Sequence, residues 1–417
     1  MRRSIPLVAV ALGAALTLSA CGGDAQEPAE TGEPTAEETG ATEELSDGGS
    51  LTIWVDETRQ AAVEAAAEQF EAETGATVET VLKDFGDIRT DFIAQVPTGE
   101  GPDITVGAHD WLGELLANGV VGSVDLGDAA GDFEEVAVAA FSQDGQLYGL
   151  PYTVENIALI RNTDLTDVVP STWDEMLEAS EAAGTTYPVV MPIGEEGDPY
   201  HMYPLQTSFG APVFEQNEDG SYTAELALGG EAGNAFAQWL AEQGDAGNLD
   251  TAIDYSLALE AFRNGESPYL IGGPWTLGDL EGMNLEVHAI PSAGGEPAQP
   301  FAGVQGFYVS AQSDNALLAN DFLVNFMATE EAQLAIYEAG NRPPAYIPAA
   351  EAAAENPLTA GFAEVGADAV PMPSIPEMGS VWAFWGVTEA QIISGAQEPV
   401  AAWEKMVSDI QGALDAS

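Results

Sequence analysis

Apolar positions recur along this chain at two periods, and each switch between them marks an element. Residues 51–57 (LTIWVDE) alternate as a strand does, whereas 59–73 place Val63 and Phe70 on one side of a helix that Gly75 stops. Val78 and Val81 mark a second strand. Ile88, Phe92 and Val96, four apart, mark a helix over 87–96 that Gly99 and Gly101 break. The run 104–107 reads as a short buried strand, 108–110 as a tight turn, and 111–117 as a helix closed by Asn118 and Gly119. Such alternation predicts a parallel sheet with helices on both faces. A strand feeding directly into a helix leaves its turn at a sheet edge, where open α/β sheets hold ligands. Asp110 and Trp111 stand at that turn.

Further along, 133–141 reads as helix and 142–148 as a hairpin turning at Asp144-Gly145. Residues 149–161 read as one long strand crossing between two lobes, with Glu155 a lone acid among apolar neighbours, and unpaired buried carboxylates are costly. Thr172 and Glu175 form a capping box for a helix to Ala183, 187–193 reads as a buried strand, and a helix opens at Asp198-Pro199-Tyr200. Helices follow at 233–243 and 256–264, then a strand at 268–272, a turn carrying Trp275, and strands at 285–291 and 301–310, the second crossing back. The remainder is mainly helical and holds Trp382 and Trp385 one turn apart.

With 417 residues, 46% of them hydrophobic, the chain has material for two cores. Residues 1–20 join Arg2 and Arg3 to an uncharged run ending in small residues, the layout of an export signal and short for a membrane span. Leu18-Ser19-Ala20-Cys21 resembles the lipobox of bacterial lipoproteins. Cys21 is the single cysteine, so it has no disulfide partner within the chain. Lipidation of its thiol is its expected use, anchoring an extracytoplasmic protein to the outer face of the cell membrane. Residues 21–50 are an acidic, disordered tether. Past residue 20 the chain holds 7 basic against 69 acidic residues, a formal charge of −62, which argues against nucleic acid and against docking on anionic lipid. A solvated surface suited to salty surroundings accounts for these acids better than specific cation binding. No second His or Cys lies at metal spacing from His109 or His201, so no metal and no cofactor are expected.

Five landmarks in order resemble the maltose and maltodextrin-binding proteins of ABC importers. They are Thr98-Gly-Glu-Gly-Pro-Asp-Ile104 with Ala108-His-Asp110; Asp144 through Pro151 to Val154-Glu155; Ile271-Gly-Gly-Pro-Trp275; Pro300-Phe301 with Gly303-Val304; and Ile375-Pro-Glu-Met378 followed by Trp382. From about residue 51 onward the chain is thereby identified as a member of the family-1 extracellular solute-binding proteins. The resemblance implies a two-lobed α/β periplasmic-binding-protein fold of type II, each lobe a mainly parallel sheet flanked by helices. The N-terminal lobe would comprise 51–153 and 302–351, the C-terminal lobe 158–297 and 358–417, and the hinge 154–157 and 298–306. It also implies a monomer that captures an α-glucoside or malto-oligosaccharide and delivers it to the transmembrane subunits of an ABC permease.

Carried over by position, Asp110 and Glu155 fall on acids that bond sugar hydroxyls, Asp198, Pro199 and Tyr200 on an acid-Pro-Tyr site, and Tyr255 on a binding tyrosine. Trp275 and Trp382 fall on tryptophans that stack on glucose rings. Trp385 fits either cleft or core. The departures are Gly107 for a tryptophan, Trp111 and Gly386 for arginines, and His201 for an aromatic. A pyranose has an apolar C–H face and a rim of hydroxyls, so aromatic rings and carboxylates are the side chains that suit it. Arg59 is the expected cationic donor, and Trp111 supplies the ring that Gly107 lacks. Two other readings use the same acids and rings: an exported glycoside hydrolase, with two carboxylates as acid and nucleophile, and a sensory sugar-binding module.

Overall fold

The computed structural model describes residues 48–217 and 221–416, so the export signal, Cys21 and nearly all of the tether lie outside the described residues. The strand Ser50–Val55 pairs in parallel with Thr77–Leu82 and with Ile104–Ala108. Between the first two runs the helix Glu57–Thr74, capped by the Asp56 carboxylate and closed by Gly75 at φ 75°. Its Val63 and Phe70 are fully buried, as their spacing requires, in a core with Ile53, Phe92, Val106, Leu150 and Phe307. Phe301–Ser310 completes this seven-stranded sheet by pairing antiparallel with Ile104–Ala108, Val121–Gly122 and Gly149–Glu155.

A second core gathers Met176, Met202, Phe236, Trp385 and Trp403 from the helices Trp173–Ala183, Pro199–Thr207, Gly230–Ala246, Met378–Ile393 and Pro399–Leu414. Beside it a three-stranded antiparallel sheet sets Ala158–Asn162 between Tyr269–Gly272 and Leu285–His288. The first core makes one lobe; the second, with a smaller cluster of Ile160, Phe262, Leu270 and Phe362 beneath the three-stranded sheet, makes the other. Among the described residues, no helix is long and apolar enough to cross a membrane.

The expected α/β lobes are present, but neither sheet is mainly parallel: that of the first lobe is mixed and that of the second antiparallel. In the first sheet the reason is topological: Phe301–Ser310 returns from the other lobe and so runs against Ile104–Ala108, Val121–Gly122 and Gly149–Glu155. The expected single strand over 149–161 is two strands, Gly149–Glu155 and Ala158–Asn162, in different sheets, with the crossing at Asn156-Ile157. Residues 187–193 form no strand and contribute one isolated bridge, Val190 to Leu270. In the Thr172 cap the hydroxyl accepts the Glu175 N–H at 3.3 Å, while the Glu175 carboxylate accepts from the backbone N–H and hydroxyl of Ser171. A further connection runs between the helices Ile347–Ala353 and Pro357–Gly366, which pack on the first and second lobes respectively.

Candidate functional site

A cavity of about 480 Å³ lies between the lobes, within the range of about 300–1,000 Å³ usual for small-molecule sites. Phe85, Arg89, Asp110 and Trp111 line it from the first lobe, Tyr200, Trp275 and Trp382 from the second, and Glu155, Gln305 and Arg342 from the crossing region.

The strand Ile104–Ala108 runs into a single helical turn, His109–Trp111, and then the helix Leu112–Ala117. His109 fixes this turn. Its Nδ1 accepts the Val304 N–H at 3.0 Å, which leaves Nε2–H to donate to the Met372 carbonyl at 3.0 Å. The neighbouring Asp110 is buried; its Oδ2 accepts the Trp382 indole N–H at 3.1 Å across the cleft, while its Oδ1 has no partner among the described residues. Burial pushes the Asp110 carboxyl above the usual carboxylate range, an effect opposed by the charge of Arg89 and by the Trp382 N–H.

Beneath the cavity six side chains close a ring. The Thr58 hydroxyl donates to Asp56, which pairs with Arg59; Arg59 donates to the Gln305 amide oxygen; the Gln305 amide donates to Glu155. Arg342 completes it with Nε 2.8 Å from Glu155 Oε2 and Nη1 donating to Thr58 at 3.2 Å. The Arg342–Glu155 contact is an ion pair not aligned as a hydrogen bond, so both Nε and Oε2 retain unmet bonding capacity. The Arg342 guanidinium also lies 5.4 Å from the centre of the Trp275 ring, joining the two lobes.

On the second lobe, Asp198 caps the helix Pro199–Thr207, accepting from the His201 N–H at 3.2 Å and pairing with His201 Nδ1 at 2.7 Å. This aims Tyr200 into the cavity, its hydroxyl buried and without a partner among the described residues. Burial, with the charges of Glu155, Asp110 and Asp198, holds the Tyr200 phenol well above its ordinary value, so it remains an O–H donor. His201 stands edge-on to Trp275 at 6.0 Å. Trp382 stacks on Trp385 at 5.5 Å.

Of the residues singled out in the sequence, Asp110, Trp111, Glu155, Tyr200, Trp275 and Trp382 line the cavity. Others stand behind it. Arg59 lies beneath the floor and orients Gln305. Asp198 and Pro199 form a helix start, and Trp385 is fully buried, its indole N–H on Gln206. Tyr255 opens the helix Tyr255–Arg263 and borders a separate small pocket with His201 and Thr276. Arg342, Arg89 and Gln305 were not anticipated. Their signal was scarcity: in a body with so few cations, Arg342 and Arg89 are two of seven past residue 20. Gly386 has a packing reason, because a Cβ there would come within 2.8 Å of the Glu196 carbonyl.

The sequence profile described as bacterial extracellular solute-binding protein matches residues 65–363. A maltodextrin-binding protein of Bacillus subtilis (strain 168) is 28% identical over 81% of this chain and 84% of its own length. A galactooligosaccharide-binding protein of the same organism is 25% identical over 96% of this chain and 95% of its own. A maltooligosaccharide ABC transporter solute-binding lipoprotein of Streptococcus pneumoniae (strain ATCC BAA-255 / R6) is 27% identical over 88% and 87%. Among solved structures, the maltotriose-binding protein of Thermus thermophilus bound with maltotriose superposes with a TM-score of 0.79 at 32% identity, covering 87% of this chain and all of that one.

Proposed function

The chain belongs to the bacterial extracellular solute-binding proteins, and from that premise we propose that it captures a malto-oligosaccharide outside the cytoplasm and presents it to the transmembrane subunits of an ABC importer. The observation that carries the sugar is the make-up of the cavity. Asp110 Oδ1, Glu155 Oε2, the Tyr200 hydroxyl and Arg342 Nε are buried polar atoms with hydrogen bonds unmade, and they converge among Trp111, Trp275 and Trp382. Unmade buried bonds cost stability unless a ligand completes them. A ligand with hydroxyls at its rim and C–H groups on its faces does so while covering the rings.

Asp110 and Glu155 then act as hydroxyl acceptors. Each is tied to a neighbour, Asp110 to Trp382 and Glu155 to Gln305 and Arg342, as suits positioning rather than proton transfer. The lobes close about the crossings near Asn156 and Gly303, bringing Tyr200, Trp275 and Trp382 onto the sugar held by Asp110. The anchor is a lipid on Cys21, and the receptor acts as a monomer. Replacing Cys21 by Ala should move the protein from the membrane fraction to the medium.

Titration with maltotriose tests the ligand. At about one hundred times Kd a ligand that binds only the native state adds about 2.7 kcal/mol, a readily measured rise in melting temperature. Absence of any shift with α- or β-linked oligosaccharides at saturating concentrations overturns the reading.

A further inference from the structure

Building on the sugar-binding reading above, we propose that Trp111, seated on the bare backbone of Gly107, is the residue that selects gluco-configured over galacto-configured oligosaccharides. A Cβ on Gly107 would lie 2.8 Å from Cε3 and Cζ3 of Trp111 and 2.8 Å from Cε2 of Tyr308. The indole therefore occupies the space in which a side chain at 107 would stand. Phe85 holds it from one side at 5.1 Å, and the Arg59 guanidinium lies 4.9 Å from the centre of the Phe85 ring. The result is a braced aromatic wall on the first lobe, buried yet lining the cavity. Tyr200, Trp275 and Trp382 form the wall of the second lobe.

Two aromatic walls ask more of a sugar than one. A glucopyranose carries its ring hydroxyls at C2, C3 and C4 equatorially, so both faces present axial C–H groups. In the galacto epimer the hydroxyl at C4 is axial and makes one face polar. A single aromatic wall accepts either epimer by taking its apolar face. With walls on both sides, the axial hydroxyl is pressed against a ring that offers it no partner, and burying it there is costly.

Calorimetric titration of maltotriose and of a linear galactotriose into the wild type, Trp111→Leu, Trp111→Phe and Gly107→Ala tests this, with folding of each variant checked by circular dichroism. The wild type should favour maltotriose by at least about tenfold. Trp111→Phe, which keeps a ring, should retain the preference. Trp111→Leu and Gly107→Ala, which displaces the indole, should bring the two affinities close together. A folded Trp111→Leu protein with the wild-type preference overturns the proposal, as does a wild type that binds galactotriose as tightly as maltotriose. Wild-type protein that binds neither sugar overturns the sugar reading itself, a result distinct from both.

Discussion

Replacing Arg342 by Ala removes one member of a buried pair, and the consequence can be sized. The Arg342 and Glu155 side chains are 11% and 5% exposed and 2.8 Å apart. Deleting one partner of such a pair costs about 3–5 kcal/mol, because the other charge stays buried without compensation. The Gln305 amide is then the one remaining donor to Glu155 identified among the described residues. Unfolding entropy of about 2.1 cal/mol/K per residue gives about 0.8 kcal/mol/K for a body of this size, so the melting temperature should fall by about 4–6 °C. Combining Arg342→Ala with Glu155→Gln removes the stranded charge and should recover most of that loss, a non-additivity that a double-mutant cycle reads directly. Maltotriose affinity of the single variant should drop at least about tenfold, the value of one charge-assisted hydrogen bond of about 1.5–3 kcal/mol. Scanning calorimetry and titration of the four proteins decide the matter. A single variant melting within about 1 °C of wild type, or a double variant no more stable than the single, would refute the argument from burial.

Two further predictions separate folding from binding. Tyr200→Phe deletes a buried hydroxyl that has no partner among the described residues. Its melting temperature should therefore hold or rise while maltotriose binds about tenfold more weakly, and a fall in both would mean that the hydroxyl serves the fold. Glu389 is fully buried, and burial, reinforced by the charge of Asp198 and opposed by the Trp385 N–H, holds its carboxyl well above the ordinary range. A raised folded-state value means that its contribution to stability is complete below the ordinary carboxylate value and is lost as pH rises through the folded one. Glu389→Gln should thus match wild type in acid and melt higher than it at alkaline pH, and parallel pH profiles for the two proteins would contradict the assignment.

Much of the fold was legible because its elements obey their own periods. Val63 and Phe70 face one core as spaced, Gly75 stops its helix in the left-handed conformation, and Phe301–Ser310 has the bounds its apolar run suggests. What escaped is what periodicity does not encode. Residues 149–161 carry apolar side chains on both sides of the Glu155-Asn156 pair and no glycine or proline beside it, so the pattern reads as one strand and does not mark Asn156 as the point where the chain changes sheets. Residues 187–193 are apolar because they are packed; their pairing goes no further than the single bridge at Val190.

The site divides in the same way. Asp110, Glu155 and Trp275 stand at ends of strands or in turns, positions that a linear pattern exposes. Arg59, in the first turn of the helix Glu57–Thr74, and Arg342, just past the helix Glu330–Gly340, take opposite sides of the cavity floor, which sequence position does not reveal. Asp56 and Gln305 draw Arg59 downward, while Glu155 and Trp275 hold Arg342 at the surface of the cleft. Trp385 shares a helix face with Trp382, and only the buried Gln206 acceptor shows which of the two turns inward.

Phe301 belongs to the second core, stacked on Tyr203 at 3.6 Å, and Phe307 to the first, yet one unbroken strand carries both. Between them Gly303, Val304 and Gln305 line the cavity. The ligand thus rests on the fulcrum itself, where a small push turns each lobe through the same angle that its far lip sweeps as a large arc. Substitutions at these three positions should therefore alter the leverage of closure along with the grip on the sugar, coupling how far the receptor opens to how tightly it holds.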